Sequence, residues 1–391
     1  MSARLRLCAG SGAVALVALA MGAPAGAAPA KLSVDTTVRL GYDINPFLSP
    51  GSDLASGYVE ATVAPKLSKR TEKGLIELSG HYERTEYLRR YGNSNQYGGE
   101  LAVQQRVTPK LSMFGALRYD SEVIGQNGDA VTGAPIDDTD VNLIGLRRRA
   151  DTYGASGGWE YQVGPKDTLS ANGGVTATRY GSGPAGGDSD NIGGSVAWQH
   201  AISPRSKIGL SGSVYRIDYD QPGLSTMTMQ PSVTFSTELS PTWHFDASLG
   251  MSFSDLTLPL VPDKRSKGIS GTANLCHKGP KDNFCLYADR SVSGSGAGGT
   301  VERTQLGISY NRRVTEKLGF SANGSYARSK SQAGTVPTRE YVSFRSGFDW
   351  QMTPRLKLGS EGRYRDVFGG RQIRADYGGD LYAILALPRP Q

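Results

Sequence analysis

The sequence predicts an all-β fold, a transmembrane antiparallel up-and-down barrel of about 18 strands (16 to 18). Three observations predict it: long stretches of apolar/polar alternation, a short proline turn that recurs along the chain, and glycine-rich polar segments between those turns.

The alternation is strict. After Pro241, residues Trp243, Phe245, Ala247, Leu249, Met251 and Phe253 share one face, and His244, Asp246, Ser248, Gly250, Ser252 and Ser254 share the other. Val342, Phe344, Phe348, Trp350 and Met352 oppose Ser343, Arg345, Asp349 and Gln351. Leu356, Leu358 and Tyr364 oppose Lys357, Glu361, Arg363 and Arg365. A period of two is a strand with one apolar and one polar face. Strands of soluble sandwiches run about 5–6 residues. These are long enough for the roughly 9–11 residues of a tilted membrane-spanning strand, apolar side out and polar side in.

The turns share a pattern: an apolar residue, a small one, usually Pro, then a polar one. Pro65, Pro109, Pro165, Pro204, Pro241, Pro280 and Pro354 carry it, and Thr315-Glu316-Lys317 stands in its place once. Proline presets φ for a tight turn and has no N–H for a ladder. The first turn is the least regular and extends to Lys73. Spacing is close to 38 residues, one hairpin plus a far loop, except for a 56-residue interval from Pro109 to Pro165. In that interval 141–149 reads as loop or as an added short strand pair. Segments 121–140, 181–190, 256–267 and 291–300 are polar and read as the long loops. Short turns at one end and long loops at the other are the asymmetry of an outer-membrane barrel. Eight turns with both termini on the turn side give 18 strands.

Composition agrees. Gly is 51 of 391 residues, and Tyr at 19 outnumbers Phe at 10. Hydrophobic residues are 38%, too few for a bundle of membrane helices, and 43 basic against 36 acidic residues with ample aromatics argue against disorder. The N-terminus has a basic start (Arg4, Arg6), a short apolar run and small residues, so 1–30 reads as a signal peptide cleaved between Ala27 and Lys31. Residues 31–391 then form the barrel, with termini in the periplasm. Without Arg4 and Arg6 the balance is 41 to 36, a net +5, with no cluster that calls for nucleic acid.

Aromatic residues mark both strand ends. Trp159, Trp198, Trp243 and Trp350 lie near short turns; Tyr87, Tyr119, Tyr180, Tyr219, Tyr326, Tyr341 and Tyr364 lie near loops. Two aromatic bands suit the two membrane interfaces, against outer-membrane lipid and lipopolysaccharide. The last strand, 376–383, resembles the polar-x-Gly-x-x-apolar-x-apolar signal read by the barrel assembly machinery, although the chain continues to Gln391 instead of stopping at Phe or Trp.

Near its start the mature chain reads Gly41-Tyr42-Asp43-Ile44-Asn45-Pro46-Phe47. This resembles the GYDDNPF opening of the outer-membrane barrels called beta-barrel porin 2, with Ile44 where Asp is usual. The resemblance implies a porin-like barrel and a link to exopolysaccharide production. The function expected is a pore that passes, or assists export of, an extracellular polysaccharide or a small solute. The alternative is a non-conducting scaffold for surface polysaccharide machinery.

Few residues carry other chemistry, and the expectation is no enzyme and no cofactor. His81 with Ser79, Glu77 and Glu83 forms a Ser–His–acid set on one polar face, but that face reads as lumen. Cys276 and Cys285 flank the Pro280 turn and predict a disulfide in an oxidising compartment. Inward Arg313, Arg345, Lys357, Arg363 and Arg365 are candidates for solute selectivity; nearly as many inward carboxylates leave salt-bridge ladders as the other reading. Neutralising Lys357, Arg363 and Arg365 is expected to shift selectivity without loss of stability.

Overall fold

A computed structural model describes residues 29–124, 141–142, 144–145, 147–181, 187–221, 223–258, 261–295, 299–331, 337–369 and 373–387. The expected signal peptide lies, up to residue 28, outside the described residues, as does the C-terminal 388–391.

The fold is one closed antiparallel sheet of 18 strands. In order they are β1 (Lys31–Asp43), β2 (Ser56–Arg70), β3 (Gly74–Tyr87), β4 (Asn93–Thr108), β5 (Leu111–Val123), β6 (Arg149–Gln162), β7 (Asp167–Tyr180), β8 (Ser189–Ser203) and β9 (Ser206–Tyr219). Then come β10 (Ser225–Ser240), β11 (Trp243–Leu258), β12 (Val261–Lys278), β13 (Asp282–Gly294), β14 (Thr300–Arg313), β15 (Leu318–Ser331), β16 (Arg339–Gln351), β17 (Leu356–Phe368) and β18 (Asp376–Leu387). Each strand pairs with its sequence neighbours, and β1 pairs with β18 from Val34 opposite Leu387 to Asp43 opposite Gly378. Closure leaves no edge strand, so the wall satisfies its own backbone groups.

Eight tight turns lie at one end, seven of them at the positions the recurring pattern marks. The exception is the first. Pro65 sits inside β2, opposite Val34 of β1, and the turn is at 71–73. The β2–β3 ladder passes from Val63–Tyr82 to Lys66–Ser79, skipping the proline, which lacks the N–H that pairing there would use. The loops are also shorter than expected. Only 259–260 separates β11 from β12, so the polar stretch 256–267 is mostly strand. The interval 141–149 adds no strand pair before β6 begins at Arg149: its described residues are turn and loop.

Alternation sorts the two faces. Leu40, Leu78, Val196, Leu210, Leu249, Ile269, Leu306, Phe348 and Leu381 stand on the outside, with Leu249 67% and Leu381 65% exposed. The inside is polar: Asn172, Ser195, Ser211, Ser232, Ser248 and Thr272 come from β7 to β12, with Ser211–Ser232 and Ser248–Thr272 hydroxyl contacts of 2.6 and 2.8 Å.

Above the apolar belt, towards the loops, the outer face turns charged. Arg84–Glu86 (2.5 Å) on β3, Arg179–Asp190 (2.5 Å) between β7 and β8, and Arg216–Asp218 (2.8 Å) on β9 begin the series. Arg265–Asp255 (3.3 Å), Arg290–Glu302 (2.6 Å) and Arg328–Glu340 (3.6 Å) continue it across β11 to β16.

One expected band is redrawn. Trp198 and Trp350 are exposed on the outside near the turns, and the registers of Trp159 and Trp243 put them on that face too. Tyr87, Tyr219 and Tyr341, expected at the opposite lipid interface, instead point inward and are buried. Loops fold back into the barrel mouth there, and the tyrosines pack against them: Tyr219 donates to Gly299 O at 2.6 Å.

A closed, self-satisfied ladder resists detergent at room temperature. Unheated protein is expected to migrate faster on a denaturing gel than boiled protein, with a far-ultraviolet strand minimum; identical migration without that minimum would count against the barrel.

Candidate functional site

The inner wall carries its densest charge where the first and last strands meet. Arg363 of β17 is walled in by Asp43 of β1 (2.7 and 2.9 Å), Asp380 of β18 (2.8 Å) and the Tyr58 hydroxyl of β2 (2.5 Å). Arg39 donates to the other Asp380 oxygen at 2.9 Å and lies 3.4 Å from Glu60. Arg365 donates to Asp376 (2.7 Å) and to Pro46 O (2.7 Å). All four carboxylates are buried, Asp43 and Asp376 completely. Close packing there depends on glycine: a Cβ at Gly41 would strike the Tyr58 ring, and one at Gly378 would strike the Asp43 carboxylate.

The opening motif builds an inward loop on this base. Tyr42 faces outward and Asp43 takes Arg363. The Asn45 backbone N–H donates to Asp376 at 2.8 Å, and its side-chain amide donates to Ser49 O and Arg374 O and accepts from the Ser49 N–H. Phe47, fully buried, stacks against Tyr87 and Tyr91, with the Arg147 guanidinium 4.7 Å from its ring centre. Leu48 adopts φ +50° and packs on Val141 and Ile144. Gly145, at φ +86°, lies where any side chain would meet Leu48 O.

Those last contacts reveal a feature with no motif. The described residues just before β6 reach across the lumen: Val141 and Ile144 pack on Ala327 of β15, Tyr341 of β16 and Val367 of β17, on the far side of the ring. Asn142 donates to Ser329 at 2.9 Å, and Arg339 donates to the carbonyl of Asn142 at 3.2 Å. The loop half of the lumen is thus narrowed by a crossing segment, held at its far end by the half-buried Arg339.

The sequence-selected cations divide. Arg363 and Arg365 point inward but are buried in ion pairs, so they do not meet passing solute; the expectation that they can be neutralised without loss of stability is corrected. Arg345 lies 3.3 Å from Glu361, and Lys357 lies 3.8 Å from Asp349. Arg313 is exposed at the turn rim. Sequence reasoning missed Arg39, Tyr58, Asp376, Asp380, Asn142 and Arg339; the inward parity of the five on strands was readable, but Asn142 lies on no strand, and Arg39, Tyr58, Asn142 and Arg339 take partners 187 to 341 residues away. His81 points into the barrel, 3.9 Å from Asp120. Cys276 and Cys285 are direct cross-strand partners with sulfurs 2.07 Å apart.

No protein-family model matches the chain, and no curated protein matches its sequence. The resemblance to beta-barrel porin 2 therefore rests on the opening motif alone. Among solved structures the chain is similar to Pseudomonas aeruginosa OccK2 (OpdF) in complex with glucuronate, at 10% identity and a TM-score of 0.49, over 92% of this chain and 98% of that one. It is similar to Acinetobacter baumannii OccAB4 at 10% identity and a TM-score of 0.46, over 91% and 98%. A BenF-like porin from Pseudomonas fluorescens gives 10% and 0.48, over 92% and 98%. Strand number and closure stand on this chain's own ladders.

Arg363→Gln removes the guanidinium that two buried carboxylates face. It is expected to destabilise the barrel by about 3–5 kcal/mol, whereas Arg313→Gln at the exposed rim changes stability by under about 0.5 kcal/mol. Thermal unfolding midpoints in detergent check this; equal midpoints for the two variants would refute the clamp. We also expect non-reduced peptides to show Cys276 linked to Cys285 by mass spectrometry, and the barrel to survive replacement of both by Ser, because backbone ladders hold the wall closed.

Proposed function

We propose that the chain is a pore of the bacterial outer membrane, with both termini in the periplasm, that passes hydroxylated solutes of low charge, an extracellular polysaccharide among them. The observation that carries the reading is the pairing of faces. Large apolar side chains cover the outside of a closed barrel, where water would not tolerate them, and polar side chains line the inside. Eighteen strands about 4.8 Å apart, tilted about 40°, enclose roughly 35 Å from backbone to backbone. Among the described residues, 141–142, 144–145 and 147–148 belong to one crossing segment, about 10 Å thick with its side chains, which narrows such a lumen without filling it.

The two halves of the wall support the solute class. The charged side, from β14 round to β5, is extensively ion-paired within itself, so its fixed charges are largely spent on one another. At mid-height on β7 to β12 the wall is Ser, Thr, Asn, Gln and Gly, a surface of small donors and acceptors that matches sugar hydroxyls. The opening motif's resemblance supports the polymer.

Planar-bilayer conductance and vesicle swelling test the proposal. The barrel should conduct, and vesicles should swell in neutral oligosaccharides at least as fast as in ionic solutes of equal size. Val141→Ser with Ile144→Ser, which loosens the crossing segment, should raise conductance several-fold. Absence of conductance from a folded, inserted barrel would leave the scaffold reading in its place.

A further inference from the structure

One inward side chain breaks the sorting of faces. Among the described residues, away from the strand ends, each large apolar side chain left exposed on a strand stands on an outward row, except Phe114 of β5. Its neighbours fix the direction. Met113 and Leu117 share the outward rows with Trp159 and Ala155, whereas Phe114 lies opposite Gln104 and Gly158 on an inward one. Phe114 is 42% exposed and joins none of the buried apolar clusters. Apolar area left in water gives a fold nothing, so packing does not account for a phenyl ring there. The wall is shaped to carry that ring. A Cβ at Gly158 of β6 would stand 2.7 Å from the Phe114 Cζ and 2.9 Å from the Asn172 Cβ. The ring therefore lies sideways along the wall over bare backbone, its tip directed towards Asn172 of β7. Gln104 on one side and Asn172 on the other belong to the same cross-strand row, and both amides are exposed. Towards the loops the next inward row is small, with Ala102, Ala116 and Ser156, so the ring is open from above.

We propose that Phe114 is the stacking platform of a sugar-ring subsite at the turn-side mouth of the lumen, with Gln104 and Asn172 binding the hydroxyls of the stacked ring. The inference rests on the reading of the barrel as a pore for hydroxylated solutes, and within that class it names those with an apolar ring face, the pyranose units. A pyranose turns C–H bonds to its faces and hydroxyls to its edge. The negative face of a phenyl ring attracts the C–H bonds. A side-chain amide, donor and acceptor at once, serves the hydroxyls on either side. A patch of apolar surface with a few convergent polar groups is the general composition of a small-molecule site. Inorganic ions and open-chain polyols present no flat C–H face and gain nothing from Phe114. An aromatic solute would use the ring and neither amide. From Asn172 the row goes on to Ser195 and Ser213. It climbs as it goes: Phe114 lies close to Leu111, the turn end of β5, and Ser213 at the middle of β9. The platform thus stands at the foot of the neutral wall, where the next units of a chain would meet hydroxyl groups.

Planar-bilayer recording of the whole barrel tests the subsite, with maltohexaose as the pyranose probe and sorbitol as the open-chain control. Maltohexaose should reduce the ion current of the wild-type chain saturably, and sorbitol should not. Phe114→Ala should raise the half-blocking concentration about tenfold, the scale of one ring lost from a stack. Phe114→Tyr keeps the ring and should preserve the block. Phe114→Leu keeps apolar bulk without a ring and should behave like the alanine variant, which separates stacking from bulk and serves if the alanine variant fails to fold. Gln104→Ala with Asn172→Ala should weaken the block while the ring remains. Unaltered gel mobility before heating shows that the variants are folded. An unchanged half-blocking concentration in the alanine and leucine variants, or no saturable block of a conducting wild-type barrel, would overturn the subsite while leaving the pore intact. Phe114-dependent block by benzoate with none by maltohexaose would overturn the sugar assignment in favour of an aromatic solute. A folded, inserted barrel that carries no current would instead overturn the pore reading, and the subsite with it.

Discussion

Closure of the wall depends on joining two strands that lie at opposite ends of the chain. β1 and β18 are more than 300 residues apart, and their pairing is the last ladder that the ring needs. Loop-closure entropy opposes such a contact, and only interactions realised on closure repay it. Arg363 is placed to supply them. Its guanidinium, on β17, bonds at once to Asp43 of β1, Tyr58 of β2 and Asp380 of β18, so it is satisfied only when all four strands stand side by side. In an open barrel the same groups would be exposed to water and nearly indifferent. The seam is thereby held by polar groups that are strong because they are buried and complete.

The interior architecture follows from that seam. Arg365 holds Pro46 O, and Asp376 holds the Asn45 N–H, which turns the segment after β1 inward. The turn buries Phe47 under Arg147 and presents Leu48 to the segment that crosses from β5. A motif that looks like a signature is therefore a structural chain, running from the closing strands to the narrowing of the lumen. The glycines in it are demanded by contact: Gly41 makes room for the Tyr58 ring, as Gly378 does for Asp43.

Much of this was legible before any coordinates. Strand existence, strand number and the turn end follow from period-two alternation and proline placement, which depend on neighbours a few residues away. What could not be read depends on distant partners. Alternation places Arg363 and Arg365 inside, and Asp376 and Asp380 reach them across the β17–β18 hairpin, but Asp43 becomes a neighbour of Arg363 only through closure. Val141 and Ile144 carry no periodicity, because a chain crossing a lumen is neither helix nor ladder. The stretch 256–267 looked like loop because two prolines and the charged run Asp263-Lys264-Arg265 interrupt its alternation; a wall that continues beyond the lipid belt can be polar on both faces and remain strand.

The same pairing governs what the lumen can discriminate. A fixed charge acts on a passing ion within about a Debye length, roughly 8 Å at physiological salt, and a neutralised pair acts over less. In the loop half the arginines at the seam are locked to carboxylates at 2.7–2.9 Å. In the turn half the pairs vary, Lys66 to Glu77 at 2.7 Å and Lys357 to Asp349 at 3.8 Å, and their side chains are more exposed than those at the seam. The seam charges thus stand where solute cannot reach them, and the more exposed inward charges, such as Lys66 and Arg118, are paired with carboxylates. Discrimination is left to the width set by the crossing segment and to hydrogen bonding along the neutral half of the wall. A hydroxylated solute exchanges water for Ser, Thr and Asn partners there at little net change in free energy, the condition under which a site is entered and left with equal ease.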